Sequence, residues 1–312
     1  MFLKVSAVTM LSLRHSRWRN TALSIATAFL GVGLAFLSAC RSHPRIVVGC
    51  KNFTEQIILG EIIAQQIENK THLPVERRFY LGGTYIAHQG ILAGRIDIYP
   101  EYTGTALTAI LKEQPSSDRK TVYERVKSEY QQRFHLTLGP PLGFNDTFAI
   151  EIRGQDARRL HLETLSQAGT YTPQWRPGFG YEFMERQDGY KGLVATYGLR
   201  FAAPPRIMDL GLLTRALKDH QVDLIAGNMT DGLIPALDLF VLEDDKHYFP
   251  PYEAVPVVRE QTLGEHPEIR QALADLSGKI SDAEMRNLNY EVDGKKRDVR
   301  EVVSEFLRSK GL

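Results

Sequence analysis

Cysteine is almost missing from this chain of 312 residues: it has two, Cys40 and Cys50. Two thiols ten positions apart give no disulfide framework, so the fold must rest on a hydrophobic core, which a chain of this length can build. An excess of charge is missing too. The formal net charge is +1, and nothing in bulk points to nucleic acid. Catalytic signatures are absent: there is no G-x-x-x-x-G-K-[ST], no G-x-S-x-G and no H-E-x-x-H. The nine histidines never stand three or four apart, so no helical metal pair is offered. The acidic pair Asp244-Asp245 reads as a solvated loop. No cofactor or metal is implied, and the expectation is a binding protein, not an enzyme. No Pro-, Gly- or Ser-rich linker and no low-complexity run divides the chain.

Charge is present, but unevenly. The first 39 residues hold Lys4, Arg14, Arg17 and Arg19 and no acid. Residues 21–39 are uncharged, and Cys40 is followed at once by Arg41, Ser42 and His43. A basic stretch, an apolar stretch and small residues before a cut describe a secretory signal. Leu37-Ser38-Ala39-Cys40 resembles the bacterial lipobox, in which the cysteine is lipidated and becomes the mature N-terminus. The expectation is a signal peptide over residues 1–39, a linker over 40–44 and an extracytoplasmic, lipid-anchored remainder. A plain transmembrane anchor is the competing reading, and Met10 is an alternative start. Cys50 is left as a lone thiol, expected to be a small buried residue.

From residue 45 the pattern alternates. Residues 45–49 (RIVVG) predict a strand, and 54–69 a helix with an apolar face of Ile57, Ile58, Ile62, Ile63 and Ile67. Asn52 is its expected cap, with Glu55 as reciprocal partner. Residues 75–80 and 95–99 predict strands, with a helix from the Gly82-Gly83-Thr84 turn to Gly94 between them. This rhythm argues for an α/β sheet with parallel strands. A second such region begins near Phe144, with strands expected at 149–152, 206–210 and 222–226 and helices at 157–167 and 213–220. One internal echo links the halves. Residues 94–104 and 221–232 each follow a helix, carry an Asp near the start of a short apolar strand, and end in a loop with Thr and Gly. Ligands of open α/β sheets bind beyond the carboxyl ends of strands, so two such loops face to face would form a cleft. Polar residues cluster at helix starts, at Asn52 and Thr54, Thr84, and Thr103 and Thr105, where backbone N–H groups suit an anion as well as plain capping.

Eight peptides in order carry a family resemblance: Cys50 to Gln56 (CKNFTEQ), Leu81 to Thr84 (LGGT), Pro100 to Thr105 (PEYTGT), Gly143 to Thr147 (GFNDT), the stretch from Phe183 to Gly189, Thr230-Asp231-Gly232, Leu242 to Lys246 (LEDDK) and Phe249 to Tyr252 (FPPY). They resemble the substrate-binding proteins of ABC transporters for glycine betaine, choline and related osmoprotectants. The resemblance implies a type II periplasmic-binding-protein fold: two α/β lobes with a ligand cleft and hinge. Lobe 1 would take residues 45–142 plus 252–312, and lobe 2 residues 143–251. It further implies capture of a small zwitterionic or quaternary-ammonium osmolyte and delivery to membrane permease and ATPase subunits. A quaternary ammonium has no N–H to donate, so aromatic faces hold it by cation–π attraction. Tyr102 and Tyr252 match cage aromatics. Phe148 stands where the family usually has Tyr, and Asn228 falls near another Tyr position, which opens the cage on that side. Lys51 and Arg186 match positions facing an anionic end; Asn52, Thr105, Asp146, Thr230 and Asp231 complete the expected ligand contacts, with Thr230 and Asp231 the weakest. Three other readings stay open: surface ion pairs for Arg186 with Glu185 or Asp188, an Asx-type turn for Asp231, and a solvated loop charge for Lys51. So do three other functions: signalling to a membrane receptor, binding of another polar solute such as an amino acid or ergothioneine, and a secreted enzyme using Cys50 activated by Lys51.

Overall fold

The computed structural model describes residues 45–312; the signal-like segment and Cys40 lie outside the described residues. The first half runs β1 (Ile46–Gly49), α1 (Thr54–Thr71), β2 (Val75–Arg78), α2 (Thr84–Leu92), β3 (Ile98–Tyr102), a helical segment over Thr103–Thr105 and Ala106–Ile110, α3 (Arg119–Phe134) and β4 (Leu136–Leu138). The middle holds β5 (Phe148–Arg153), β6 (Pro177–Phe179), α4 (Tyr181–Glu185), β7 (Arg206–Ile207), α5 (Leu210–Lys218), β8 (Leu224–Asn228) and β9 (Leu239–Leu242), with further helices between. The chain then returns as β10 (Ala254–Arg259) and ends in helices that include α6 (Ile269–Ala274), α7 (Asp282–Asn289) and α8 (Val299–Lys310).

Two five-stranded sheets result, in the orders β2-β1-β3-β10-β4 and β7-β6-β8-β5-β9. The two-lobed α/β fold expected from the sequence is therefore present. The all-parallel expectation is corrected. β1 is parallel to β2 and β3, but β10 is antiparallel to β3 and β4. The second sheet repeats this: β6 is parallel to β7 and β8, and β5 is antiparallel to β8 and β9. β5 and β10 are the strands that follow the two crossings between sheets. They enter from the facing sheet without a crossover helix, and so run against their neighbours.

The sequence echo lands on β3 and β8, the central strand of each sheet. Asp97 and Asp223 do the same work just before them. The Asp97 carboxylate accepts from the Val47 N–H at 2.9 Å while its own N–H donates to the Val47 carbonyl. Asp223 makes the same reciprocal pair with Arg176. β3 itself runs three residues beyond its expected end, across Pro100, to Tyr102. Proline is unusual in a central strand because it donates no bond. Here Pro100 stands opposite Pro256, and β1 pairs with β3 only at Ile98. No neighbour therefore asks Pro100 for a donor, and the strand carries Tyr102 into the cleft.

Helix α1 lies between the first sheet and the C-terminal helices α6, α7 and α8. Ile58, Ile62, Ile63 and Ile67 are fully buried against Val303 and Leu307, while Ile57 is only partly covered. The expected capping by Asn52 does not occur. Phe53 is the N-cap residue with no side-chain bond, and the Asn52 N–H donates to the Gly82 carbonyl. Two expectations in the second lobe are also corrected. The helix over 157–167 is two helices, Gly154–Leu160 and Leu165–Ala168, because His161 turns left-handed and Thr164 starts afresh with a Gln167 capping box. The strand over 206–210 stops at Ile207, because Asp209 caps α5 by accepting from the Gly211 N–H at 3.0 Å. Among the described residues no helix is long and apolar enough to cross a membrane.

Candidate ligand-binding site

The carboxyl ends of β1, β3, β6 and β8 meet the amino ends of β5 and β10, and a cavity of about 320 Å³ lies between the sheets there. Nine of the eleven residues expected from the sequence line it. The first sheet brings Lys51 and Asn52 after β1, and Tyr102 and Thr105 at the end of β3. The second brings Asp146 and Phe148 at the start of β5, Arg186 after α4, and Asn228 at the end of β8. Tyr252 lines the cavity just before β10. Thr230 and Asp231 do not line it.

The aromatic groups form one wall. The Phe148 ring meets Tyr252 edge to face at 5.5 Å between centroids and Phe183 at 4.8 Å. Three rings of the cavity also carry a protein cation: Arg186 lies 5.1 Å from the Phe148 centroid and 5.6 Å from that of Tyr252, and the Lys51 ammonium 5.1 Å from that of Tyr102.

Neither cation is a solvated surface charge. Arg186 and Asp188 are both buried, and the guanidinium grips the carboxylate through two parallel bonds, at 2.8 and 2.5 Å. Burial pushes the Asp188 carboxyl up, but the charge and bonds of Arg186, with the hydroxyls of Tyr252 and Thr108, outweigh it and hold the carboxyl below its ordinary value. Arg186 also donates to Thr105 at 3.0 Å, and Thr108 donates to Asp188 at 2.9 Å. These bonds join the loop after α4 to the helical segment after β3, so the pair ties one sheet's cleft edge to the other's. On the opposite side Lys51 pairs with Glu101, buried beneath Tyr102, where burial raises the Glu101 carboxyl against the pull of Lys51.

Thr230 works behind the cavity. Its hydroxyl lies within bonding distance of the Glu55 carboxyl, and of Asp146 at 2.7 Å. One hydroxyl has one hydrogen, so one of the two carboxyls must supply the other. Glu55 also receives the Tyr102 hydroxyl at 2.6 Å and the Asn289 amide at 2.9 Å, which favours its charged form. Burial raises Glu55 too, but Asp146 has only Thr230 as support, through its hydroxyl and its N–H at 3.2 Å, and burial followed by the Glu55 charge raises Asp146 well above the ordinary aspartate value. Asp146 is therefore the protonated partner. Asp231 makes the Asx-type turn, accepting from the Leu233 N–H at 2.8 Å, and lines an adjoining recess.

Cys50 is buried, and burial pushes its thiol up to about 12. Lys51 does not activate it, since its ammonium is held by Glu101. Sequence reading missed Glu101, Phe183 and Asn289, and it offered Asp188 only as a surface partner of Arg186, whereas the pair is buried. Glu101 and Phe183 lie inside the matched peptides without a motif role of their own. Asn289 lies beyond all eight, and only the folding of α7 against α1 brings it to Glu55.

A profile of the substrate binding domain of ABC-type glycine betaine transport systems matches residues 44–309. The carnitine transport binding protein OpuCC of Listeria monocytogenes is 36% identical over 297 residues, which is 92% of this chain and 96% of that protein. The ergothioneine transport permease/ergothioneine binding protein EgtU of Helicobacter pylori is 36% identical over 268 residues, 86% of this chain; the chain spans 48% of that relative's length. Among solved structures, that of a glycine betaine/carnitine/choline ABC transporter protein has a TM-score of 0.71 and 35% identity, covering 85% of this chain and 98% of the other. A match across nearly all of the described fold settles the family: the chain belongs to the substrate-binding domains of ABC-type glycine betaine transport systems.

Proposed function

We propose that this protein captures a small quaternary-ammonium osmolyte, of the glycine betaine, carnitine or choline kind, between two lobes and delivers it to an ABC permease. The observation that carries the reading is the convergence of Tyr102, Phe148 and Tyr252 on one cavity at the carboxyl ends of two sheets. Rings so placed attract a cation that cannot donate hydrogen bonds, roughly 0.5–2 kcal/mol per ring. We assign ligand contact to Lys51, Asn52, Tyr102, Thr105, Asp146, Phe148, Arg186, Asn228 and Tyr252. Lobe 1 comprises residues 45–142 plus 252–312 and lobe 2 residues 143–251, with the crossings as hinge. Cys40 carries the lipid anchor, after removal of residues 1–39, and holds the protein at the outer face of the cytoplasmic membrane. Delivery to a permease is favoured over receptor signalling because the Helicobacter pylori relative carries permease and binding protein in one name.

Isothermal calorimetry against glycine betaine, choline, carnitine and ergothioneine tests the ligand class. Saturable one-to-one binding of at least one of them is expected; failure of all four overturns it. Mass spectrometry of the membrane-extracted protein tests the anchor, which requires a diacylglyceryl group on Cys40.

A further inference from the structure

Next to the aromatic cavity lies a second recess of about 260 Å³. The two share Asn52, Phe53, Asp209, Leu210 and Asn228, so they adjoin along the strip where Asn228 ends β8. The aromatic cavity carries the rings; the recess combines apolar side chains, among them Ile57, Leu213, Ile225 and Leu233, with a group of carboxylates. Asp209, Asp231 and Asp293 line it together with Glu55, against one lysine, Lys296. Its chemistry is unfinished. Asn289 lines the recess and is 4% exposed. Its amide nitrogen is used twice, on Glu55 and on the Thr230 carbonyl, both at 2.9 Å, which fixes the amide's orientation. Its Oδ1 is then left with no donor. Buried carbonyl oxygens rarely go unpaired, and removal from water without a partner costs free energy. Beneath the floor, Glu151 is fully buried with neither carboxyl oxygen bonded, and it lies against Gly227, which lines the recess. Burial, then the Asp231 charge, raises the Glu151 carboxyl well above its ordinary value, so Glu151 keeps its proton, and the unpaired acceptor among the lining residues is Asn289 Oδ1.

We propose that this recess is a second subsite, which takes the cationic, hydrogen-donating far end of a ligand whose quaternary ammonium sits in the aromatic cavity. Such a ligand carries a primary ammonium or a guanidinium a few bonds from its trimethylammonium head. Asn228 borders both spaces, and so does Asn52, on the opposite lobe. A terminal ammonium brings three donors to Asn289 Oδ1 and the flanking carboxylates. The proposal rests on the quaternary-ammonium reading of the main cavity, and the test separates the two.

The full protein is titrated calorimetrically with butyltrimethylammonium and with (4-aminobutyl)trimethylammonium, which differ only in the terminal amine. The amine-bearing probe is expected to bind tighter by about tenfold or more, the effect of a charge-assisted hydrogen bond at a desolvated site. The ratio of the two affinities should fall toward unity in Asp293→Asn and in Asp231→Asn. Two variants are used because Asp231 also holds its own turn; circular dichroism identifies the one that remains folded. Equal affinities for the two probes overturn the subsite alone, as does a ratio unchanged in the folded variant. If neither probe binds, the quaternary-ammonium reading fails and the subsite with it.

Discussion

The central strands of the two sheets, β3 and β8, are five residues long and begin just after an aspartate that clasps the neighbouring strand's backbone. They end differently. β3 ends on Tyr102, whose ring faces the cavity and whose hydroxyl is anchored on Glu55. β8 ends on Asn228, which is half-buried and borders two cavities. At its central strand the first sheet thus presents a fixed aromatic face and the second a polar side chain, and the second sheet's ring comes instead from Phe148, which stands opposite Asn228 on β5. The supporting charges differ as well. Lys51 and Glu101 both belong to the first sheet's strands and loops, whereas Arg186 and Asp188 come from the second and reach Thr105 and Thr108 in the first. A shared strand plan fixes where the loops emerge. The residues placed on the loops decide what each lobe contributes.

The largest effect should come from breaking the pair whose further bonds cross the cleft. Asp188→Ala leaves Arg186 buried without its counter-charge, and breaking a buried pair in this way costs about 3–5 kcal/mol. Urea denaturation should show this loss as a lowered midpoint. A fall below about 1 kcal/mol would mean that Arg186 finds solvent and that the pair is not a structural tie.

A smaller effect sharpens the contrast between strand ends. Tyr102→Ala should weaken a quaternary-ammonium ligand by about tenfold or more, by removing a central ring. Asn228→Tyr, at the matching position of β8, should tighten it by roughly twofold to thirtyfold, the range of one added cation–π contact. Calorimetry with the best of the four osmolytes reads both. Unchanged affinity in Tyr102→Ala removes the cage reading; weakened affinity in Asn228→Tyr means that the opening is needed for the ligand's own bulk.

Much of this was legible in the sequence, and what was hidden has physical reasons. The alternation of apolar runs and helices gave the α/β class, and the echo around Asp97 and Asp223 marked both central strands before any coordinate. Strand direction was hidden because β5 and β10 look locally like any other strand; only the two crossings reverse them. The end of β3 was misplaced because Pro100 reads as a breaker until Pro256 is seen opposite it. At the site, Tyr102, Tyr252 and Arg186 were reachable through the matched peptides, and Phe148 directly follows one of them. Thr230 does not line the cavity, and its neighbours in sequence do not reveal that Glu55 and Asp146 close over it. Asn289, more than two hundred residues from Glu55, gave no local signal.

The smallest effect belongs to the buried carboxyl pair behind the cavity. Asp146 holds its proton, so Asp146→Asn replaces one neutral, hydrogen-bonding group by another of nearly the same shape. In mildly acidic buffer the variant should match the parent to within about 0.5 kcal/mol. The two should part as the pH rises. Burial raises Asp146 well above 3.8 in the folded protein, while the unfolded chain titrates near that ordinary value. Between the two the folded state binds more protons than the unfolded state, so stability falls with rising pH. Asparagine has no proton to lose and removes that slope. Urea midpoints measured from about pH 4 upward should therefore fall for the parent and fall less for the variant. Glu55 sits one hydroxyl away, already held by Tyr102 and Asn289, and keeps its own raised carboxyl in both proteins. Parallel curves for parent and variant would move the shared proton from Asp146 to Glu55, and the wall of the cavity at Asp146 would then be charged.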